Sequence, residues 1–387
     1  MPYTKSRQLV SRIMAAPNKH KMKILVGLSG GVDSAVTAFL LKEQGHDVAG
    51  ATMSIQDQSL KLSSKANSCI SGDEKAQHEE IAKIADYLQI PFHIVDCRDE
   101  YKKQVLNNFR QEYLSGRTPN PCVRCNSFIK FGALLRECET QGIEFDKFAT
   151  GHYARIVKPG TDHASTRYAI QIAADTQKEQ SYFLYRLSQE QLAKLMFPLG
   201  GLTKAEVREI ARRAGLFVSE KKESQDFCEN YSELLGIADR KGNIVNTSGK
   251  VLGEHNGFWH FTVGQRRGLS IAAERPLYVI RIDSQSNEVV VGYDNEALTD
   301  SFAVTDIVSG LLDVQSMKSG EEQEMMVRVR SSQELKKCTI RVAQSTIPHN
   351  PSTEIICKLH EPQRAISPGQ SAVFYRDNCI LFGGVIA

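Results

Sequence analysis

The sequence predicts an α/β protein with an N-terminal domain built on a parallel β-sheet, a small central β-rich module and a C-terminal β-barrel. From about Lys23 to Gly151, apolar runs alternate with longer helical patterns, which predicts βαβ units and a sheet covered on both faces. After Cys228, the pattern changes to short strands of alternating polarity separated by turn signals. The 387 residues are enough for several domains of this kind.

The elements of the first domain follow one another in regular order. The predicted strands and helices are KILVGLS, SAVTAFLLKEQG, VAGATM, EEIAKIADYLQI, PFHIVDC, FIKFGALLRECETQG and FDKFATG. A hairpin is predicted at YARIV and RYAIQIA, and helices at QEQLAKLM and TKAEVREIARRAG close the domain near Lys222. The predicted divisions are an N-terminal extension over 1–22, the sheet domain over 23–222, the central module over 223–296 and the barrel over 297–387.

Composition narrows the class of protein. With 41% hydrophobic and 24% charged residues the chain is expected to be soluble, and no stretch approaches the roughly 18 apolar residues of a membrane span. The net charge of +3 gives no general preference for polyanions, so a nucleic acid would need a local basic face. Nine unevenly spaced cysteines are typical of an intracellular protein with catalytic or metal-binding thiols. We expect a cytoplasmic protein without a membrane partner.

The first 22 residues carry several Lys and Arg and no acidic residue. This is the composition of a mitochondrial or other organelle transit peptide. The alternative is a disordered basic tail or start-site extension ahead of Met22, which begins MKILVGLSGG.

The stretch ILVGLSGGVDSAVTAFLL joins a buried strand to a helix through a glycine-rich turn. Adjacent glycines let backbone N–H groups approach phosphate oxygens, and the following helix offers its positive end. Ser29 and Ser34 add hydroxyl donors, and Asp33 is placed to cap the helix. The turn lacks the lysine of a Walker A loop, which reaches the γ-phosphate. It therefore predicts a site that holds pyrophosphate during α–β cleavage; the alternative is a plain capped turn.

Two cysteines lie in electropositive sequence settings. TPNPCVRCNSFIKF places Cys125 near a predicted helix start, where the dipole lowers a thiol pKa, and KKESQDFCEN places Cys228 after two lysines. Sulfur transfer needs one thiol to carry a persulfide and another to attack it. Together with Cys122, these thiols are also candidate ligands of an iron–sulfur cluster or of zinc. The remaining cysteines are predicted to be small buried side chains: Cys69, Cys97, Cys138, Cys338, Cys357 and Cys379.

The turn SGGVDS resembles that of the PP-loop ATP pyrophosphatases, and the whole chain from about Lys23 is similar to the tRNA-specific 2-thiouridylases of the MnmA/TrmU family. The likeness runs through GRTPNPCVRCN, ATGHYAR, KEQSYFLYRL, SQDFC, GQRRGL and PGQSAVFY, in the family's order. The resemblance implies an adenine nucleotide alpha-hydrolase-like first domain. It also implies an enzyme that uses ATP and Mg²⁺ to make 2-thiouridine at the tRNA wobble position, with a persulfide-donating sulfur carrier or cysteine desulfurase as partner.

The resemblance also assigns roles to residues. Cys228 would carry the persulfide, Cys125 would be its partner, and Cys122 stands where many relatives carry Asp as acid or base. The implied ATP-binding residues are Gly27, Leu28, Ser29, Gly30, Gly31, Val32, Asp33, Ser34, Met53 and Gly151. The implied tRNA-binding residues are Asn120, Pro121, Cys122, His152, Lys178, Glu179, Gln180, Arg330, Ser331 and Gln370.

Several alternatives stay open at the level of sequence. The thiol at Cys122, the serine at Ser331 and a shortened central segment motivate a PP-loop thiolase that acts on a different RNA. A PP-loop ligase with a small-molecule acceptor would explain the turn alone. An inactive RNA-binding paralogue is a further alternative, against which the complete turn and both thiols count. His152 has a purely structural alternative as a turn residue. Further candidate phosphate contacts are Arg266 and Arg267, and Arg208, Arg212 and Arg213, the last three with a solvated helix face as alternative.

Overall fold

The computed structural model describes residues 20–56, 73–158, 167–221, 231–344 and 353–387. The chain forms two compact units. In the described ranges the first unit holds residues 20–56, 73–102, 125–158 and 167–221, and the second holds 103–124, 231–344 and 353–387. The predicted division into an extension and three domains stays a prediction.

Seven strands belong to the first unit. They are Lys23–Gly27 (β1), Asp47–Ser54 (β2), Phe92–Asp96 (β3), Lys147–Ala149 (β4), Ala154–Val157 (β5), Ala169–Ile172 (β6) and Leu195–Met196 (β7). Five of them form a sheet in the order β3-β2-β1-β4-β7, and each of its pairings is parallel. Strands β5 and β6 form the predicted antiparallel hairpin. The parallel sheet that the alternating pattern predicts is confirmed.

The helices follow the predicted order, with two additions, one ahead of the predicted helix FIKFGALLRECETQG and one at Tyr231–Leu235, where short strands are expected. They are Val32–Glu43 (α1), Glu74–Leu88 (α2), Arg98–Tyr101 (α3), Asn107–Leu114 (α4), Pro121–Arg124 (α5), Leu134–Thr140 (α6), Gln189–Lys194 (α7), Lys204–Arg213 (α8) and Tyr231–Leu235 (α9). Two π-helical stretches, Lys102–Leu106 and Cys125–Ala133, join α3 to α4 and α5 to α6.

The helical run through α3 and α4 is an element that the sequence patterns did not predict. Its buried side chains recur at every fourth residue: Tyr101, Val105, Phe109 and Tyr113. This spacing exceeds the 3.6-residue turn of an α-helix, and the π-helical stretch, which has a wider turn, keeps these side chains on one face. A search of the sequence for the 3.6-residue hydrophobic period therefore does not detect this helical run.

The core of the first unit lies between the sheet and its helices. Aliphatic side chains of β1, α1 and α8 meet there, including Val26, Val36, Leu40, Val207 and Ile210. Each is 2% exposed or less, so both α1 and α8 are anchored on the sheet by burial of apolar surface. This anchoring fixes the start of each helix, where the polar residues of the candidate site lie.

The second unit contains a small sheet and a closed barrel. The sheet strands are Gly242–Asn246 (β8), Val251–His255 (β9), Tyr278–Asp283 (β10) and Glu288–Gly292 (β11), in the order β10-β11-β8-β9. The barrel strands are Thr299–Ser309 (β12), Glu322–Arg328 (β13), Lys336–Gln344 (β14), Thr353–Gln363 (β15), Ser371–Arg376 (β16) and Cys379–Ile386 (β17).

The six barrel strands pair antiparallel in the order β12-β15-β14-β13-β16-β17, and β12 also pairs with β17. This last pairing closes the barrel, as predicted, and removes its open edges. Stacked rings of Phe374 and Phe382, 4.4 Å apart, fill part of the interior. Within the described ranges, no helix has the length and apolar character to span a membrane.

Candidate active site

The glycine-rich turn lies at the point where the strand order of the parallel sheet reverses. Strands β2 and β3 lie on one side of β1, and β4 and β7 lie on the other. Ligands of open parallel sheets bind outside the carboxyl ends of the strands at such a point. Gly27 ends β1 there, Gly151 follows β4, and Met53 lies near the end of β2 and is partly exposed. The fold thus brings together three separate parts of the predicted ATP site.

Gly151 packs directly against the start of α1. A Cβ atom at this position would lie 2.8 Å from the carbonyl carbon of Asp33 and 2.9 Å from the backbone nitrogen of Ser34. Such distances are too short for any side chain, so only glycine lets the chain after β4 approach the turn this closely. Within the turn, Gly30 has φ +75°, a left-handed conformation that also favours glycine.

The hydroxyl group of Ser34 holds the turn in shape. It donates to the carbonyl oxygen of Gly31 at 3.1 Å and accepts from the backbone N–H of Ser29, also at 3.1 Å. Ser34 is 3% exposed. Leu28 and Val32 are also buried, so only their backbone groups could meet a nucleotide. The turn is therefore preorganised by its own residues.

Asp33 does not cap α1, and this part of the sequence prediction is wrong. The N-cap residue is Gly31, without a side-chain hydrogen bond. The Nζ of Lys204 instead donates to both carboxylate oxygens of Asp33 at 2.8 Å, and the Tyr153 hydroxyl donates to Oδ1 at 2.9 Å. A charged ammonium is a stronger donor to a carboxylate than a backbone N–H. The carboxylate is therefore taken by partners distant in sequence.

Lys204 is a site residue that the sequence patterns missed. It begins α8, where Thr203 and Glu206 form a capping box, and its own backbone N–H donates to Asp175 at 2.8 Å. Its side chain is 11% exposed. The capping box is visible in TKAE and fixes Lys204 at the first helical position. Its partner Asp33 is 171 residues away, which no local pattern indicates.

The turn that carries Lys178, Glu179 and Gln180 is tied to the same network. Gln180 and Tyr153 exchange two hydrogen bonds, one of 2.9 Å through the Gln180 side chain and one of 2.8 Å between backbone groups. Glu179 is buried and accepts from the backbone N–H of Ser181. Lys178 is partly exposed. The predicted tRNA contact of this turn thus has a direct connection, through Tyr153, to Asp33.

His152 lies between aromatic rings beside the end of β4. Its ring is 5.6 Å from that of Phe131 and 5.7 Å from that of Phe197, and its Nδ1 is 2.7 Å from the Thr150 hydroxyl. Burial, with a smaller contribution from the positive charge of Lys130, lowers the pKa of His152 well below its ordinary value. The ring is therefore neutral at pH 7.

The segment with Cys122 and Cys125 begins a helix. Asn120 caps α5 by accepting from the backbone N–H of Val123 at 3.3 Å. The helical run begins at Pro121, so Cys122 lies in its first turn and Cys125 begins the π-helical stretch one turn later. The argument from the helix dipole therefore favours Cys122 over Cys125, contrary to the prediction. Cys122 is exposed and Cys125 is partly exposed; Cys228 lies outside the described residues.

The predicted burial of the other cysteines is confirmed where the structure describes them. Cys97, Cys138, Cys338, Cys357 and Cys379 are all buried, and Cys69 lies outside the described residues. Burial, followed by the charge of Cys138, raises the pKa of Cys97 to about 12. Burial and the charge of Glu139 raise that of Cys138 to about 11. These buried thiols are therefore expected to react more slowly than the exposed thiol of Cys122.

Comparison with known proteins assigns the chain to a family. Residues 22–229 match the family model of the tRNA methyl transferase HUP domain, 231–293 that of the tRNA methyl transferase PRC-barrel domain and 307–386 that of the aminomethyltransferase beta-barrel domain. The tRNA-specific 2-thiouridylase MnmA of Endomicrobium trichonymphae is 46% identical over 370 residues, which cover 95% of this chain and 99% of that protein. The chain belongs to the MnmA family. The MnmA protein of Syntrophotalea carbinolica is 42% identical, over 97% of this chain and 100% of that protein. The MnmA protein of Lachnoclostridium phytofermentans is 39% identical, over 94% of this chain and 99% of that protein.

The predicted tRNA-binding residues of the second unit differ in their exposure and in their hydrogen bonds. Ser331 is exposed. The guanidinium of Arg330 donates to the carbonyl oxygen of Val263 and to the hydroxyl of Ser367, both at 2.7 Å. The side-chain amide of Gln370 donates to the backbone of the segment before Cys122. In this MnmA-family chain, Arg330 and Gln370 therefore also hold the second unit together.

The remaining basic candidates fall into two groups. Arg266 and Arg267 are exposed, and Arg266 lines a cavity of about 460 Å³ in the second unit with Arg275. The second group lies on α8 and is already engaged: Arg208 donates to the Ser219 carbonyl, and Arg212 and Arg213 pair with Glu209. Only the first group presents a basic surface suited to phosphates.

The metal hypothesis concerns three thiols, Cys122, Cys125 and Cys228. Within the described ranges, no group of three or more His, Cys, Asp or Glu side chains is arranged to hold a metal ion. One of the three candidate cluster ligands, Cys228, lies outside those ranges. The iron–sulfur cluster therefore stays a prediction.

Proposed function

We propose that this chain is an ATP-dependent sulfurtransferase that converts the wobble uridine of tRNA to 2-thiouridine, releasing AMP and pyrophosphate. The observation that carries the proposal is a preorganised phosphate turn at the switch point of the sheet, in a chain that is 46% identical to a tRNA-specific 2-thiouridylase. The exposed Cys122 and partly exposed Cys125 on one helical run supply thiol chemistry that a small-molecule ligase would not need.

The first half-reaction uses the first unit. The C2 oxygen of uridine attacks the α-phosphorus of ATP, the bond between the α-phosphorus and the bridging oxygen breaks, and pyrophosphate leaves. Residues 27–34, Met53 and Gly151 would hold the nucleotide, and Lys204 would supply the positive charge that the turn itself does not contain. Mg²⁺ would be held by the ATP phosphates, because the Asp33 carboxylate is already bound by Lys204 and Tyr153, and it would neutralise part of the pyrophosphate charge.

The second half-reaction replaces oxygen by sulfur. The Cys125 thiolate attacks the inner sulfur of a persulfide on Cys228, and a disulfide forms between the two cysteines. The persulfide S–S bond breaks, and its electron pair leaves on the terminal sulfur as sulfide. Sulfide bonds to C2, the C2–O bond breaks, and AMP leaves with the oxygen. A thiol reductant then supplies two electrons to restore both cysteines.

The source of sulfur and the place of the reaction complete the proposal. A persulfide-donating carrier protein or a cysteine desulfurase would load Cys228. In the alternative route, Cys122, Cys125 and Cys228 ligate an iron–sulfur cluster that binds sulfide. We place the activity in the cytoplasm, with an organelle as the alternative if residues 1–22 are a transit peptide.

Reconstitution with unmodified tRNA, ATP and a persulfide donor tests the proposal. Nucleoside mass spectrometry should detect 2-thiouridine only at the wobble position, with one AMP and one pyrophosphate per product. Cys125→Ser should still release pyrophosphate and yield no 2-thiouridine, whereas Cys379→Ala, which changes a buried barrel thiol, should retain both steps. Thiolation of another RNA, turnover with a metabolite in place of RNA, or RNA binding without AMP release would each support one of the alternatives.

The two sulfur routes are separated by a metal assay. Protein purified without oxygen is assayed for iron and acid-labile sulfide, wild type beside Cys122→Ala. Iron that is lost in the variant would establish the cluster route. Activity without iron in either protein would establish the persulfide route.

A further inference from the structure

The segment that precedes the exposed cysteine is attached to the barrel. We call residues 117–122 the cysteine segment. The backbone N–H of Thr118 donates to the Pro368 carbonyl at 2.8 Å, and Nη2 of Arg117 donates to the carbonyl of Ile386, in β17, at 3.0 Å. Thr118 is 9% exposed, so its bond is protected from water. All these residues belong to the second unit.

Gly369 allows the attachment. A Cβ atom there would lie 2.9 Å from both the backbone nitrogen and the carbonyl oxygen of Thr118. Its φ of +90° is also a left-handed conformation that side chains rarely adopt. The glycine in PGQ therefore serves two purposes, since it forms the turn before β16 and lets the cysteine segment lie directly on it.

Gln370 makes the most specific contact with the segment. Its Nε2 donates to the Thr118 carbonyl at 3.0 Å and to the Pro119 carbonyl at 3.1 Å. A side-chain amide has two hydrogens, and two carbonyl oxygens can only accept, so this geometry uses the full donor capacity of the group. Only the Oε1 atom of Gln370 is left to contact another molecule.

We propose that Gly369 and Gln370 are positioning residues, which attach the cysteine segment to the barrel and so place Asn120 and Cys122 for reaction. Pro119 is adjacent to Asn120, the N-cap of the helix that carries Cys122. A shift of Pro119 is therefore passed directly to the helix start. The proposal deepens the proposed function and rests on it for the identity of the reaction.

The reactivity of Cys122 tests the attachment without tRNA or ATP. The rate of its alkylation by iodoacetamide is followed by peptide mass spectrometry in wild type, Gln370→Ala and Gln323→Ala. Gln323 is a matched control, because its amide contacts Glu321 and Arg376 elsewhere on the barrel. Gln370→Ala should change the rate several-fold and the control should not. An unchanged rate, with tRNA affinity reduced, would overturn the proposal in favour of a tRNA contact.

Steady-state kinetics supply the second test. Gln370→Ala should lower kcat about tenfold to a hundredfold, since small displacements of reacting groups have effects of this size. A raised KM with kcat unchanged would overturn the proposal. If the wild-type chain forms no 2-thiouridine at all, the proposed function fails, and the alkylation result still decides whether Gln370 holds the segment.

Gly369→Ala separates the close contact from backbone strain. Gly320→Ala is the control, because Gly320 has φ +82° and none of the described residues lies within 4 Å of an added Cβ. Both substitutions place alanine in a left-handed backbone conformation, and only Gly369→Ala should alter the reactivity of Cys122. Equal effects in the two variants would show that the contact with Thr118 has no positioning role.

Discussion

The phosphate turn and the cysteine segment are built in opposite ways. The turn is held by residues within five positions of one another, such as Ser29 and Ser34. The cysteine segment is held by Gln370, 252 residues from Thr118, and by the carbonyl of Ile386, 269 residues from Arg117. Local sequence therefore determines the shape of the phosphate turn, and the complete fold of the second unit determines the position of the cysteine segment. The turn can form with its strand and helix, whereas the segment depends on the barrel.

The largest expected difference concerns thiol reactivity. At pH 8, thiols with pKa values of about 12 and 11 are ionised to only about one part in ten thousand and one part in a thousand. Cys97 and Cys138 should therefore stay unmodified while the exposed Cys122 reacts completely with iodoacetamide. Peptide mass spectrometry over time measures the rates. Modification of Cys97 at a rate similar to that of Cys122 would show that burial does not protect the Cys97 thiol.

Gly151→Ala tests the close contact at the phosphate turn. The new Cβ would overlap Asp33 and Ser34, so the turn must shift, and overpacking of this kind costs about 1–3 kcal/mol. ATP affinity and pyrophosphate release should fall together by about tenfold to a hundredfold, without a change in Cys122 alkylation. Gly201→Ala is the control, because none of the described residues lies within 4 Å of its added Cβ. Unchanged ATP affinity would contradict the role of Gly151.

Lys204→Met tests whether the lysine that pairs with Asp33 contributes to ATP binding at the phosphate turn. Its loss leaves Asp33 as a negative charge beside the phosphates, and hydrogen bonds to charged groups contribute about 1.5–3 kcal/mol. ATP should bind about tenfold to a hundredfold more weakly, AMP should be affected less, and Lys204→Arg should restore part of the loss. Titration calorimetry measures each. Lys194→Met, which removes an exposed ion pair with Glu139, should have no effect; an equal loss in both would refute a specific role.

The smallest expected effect is the pH dependence of stability caused by His152. Its pKa is lowered in the folded chain, so below about 6.5 the unfolded chain binds a proton that the folded chain rejects. The free energy of unfolding should therefore fall with decreasing pH. Between pH 7.5 and 5.5 this residue contributes at most about 1.4 kcal/mol to that fall, and His152→Phe should remove its contribution. Urea unfolding at both pH values measures it; an identical pH dependence in the variant would show that His152 takes up its proton in the folded state.

The contrast explains what could be predicted from the sequence. The βαβ order, the hairpin and the closed barrel follow from hydrophobic period and turn residues, and the phosphate turn from SGGVDS. The partner of Asp33 could not be predicted, because Lys204 reaches it only through the packing of α8 on α1. The same holds for Gln370, whose attachment to Thr118 depends on barrel closure. The helix start was misplaced by seven residues, since the predicted helix FIKFGALLRECETQG begins at Phe128 and the helical run begins at Pro121.

The contact between Arg117 and Ile386 has a practical consequence for handling this protein. The last strand of the chain supplies the acceptor that fixes the cysteine segment. Deleting the final ten residues would therefore remove both β17 and the acceptor of Arg117, so that the barrel opens and the cysteine segment loses its attachment together. Affinity tags and fusion partners are better attached at the opposite end.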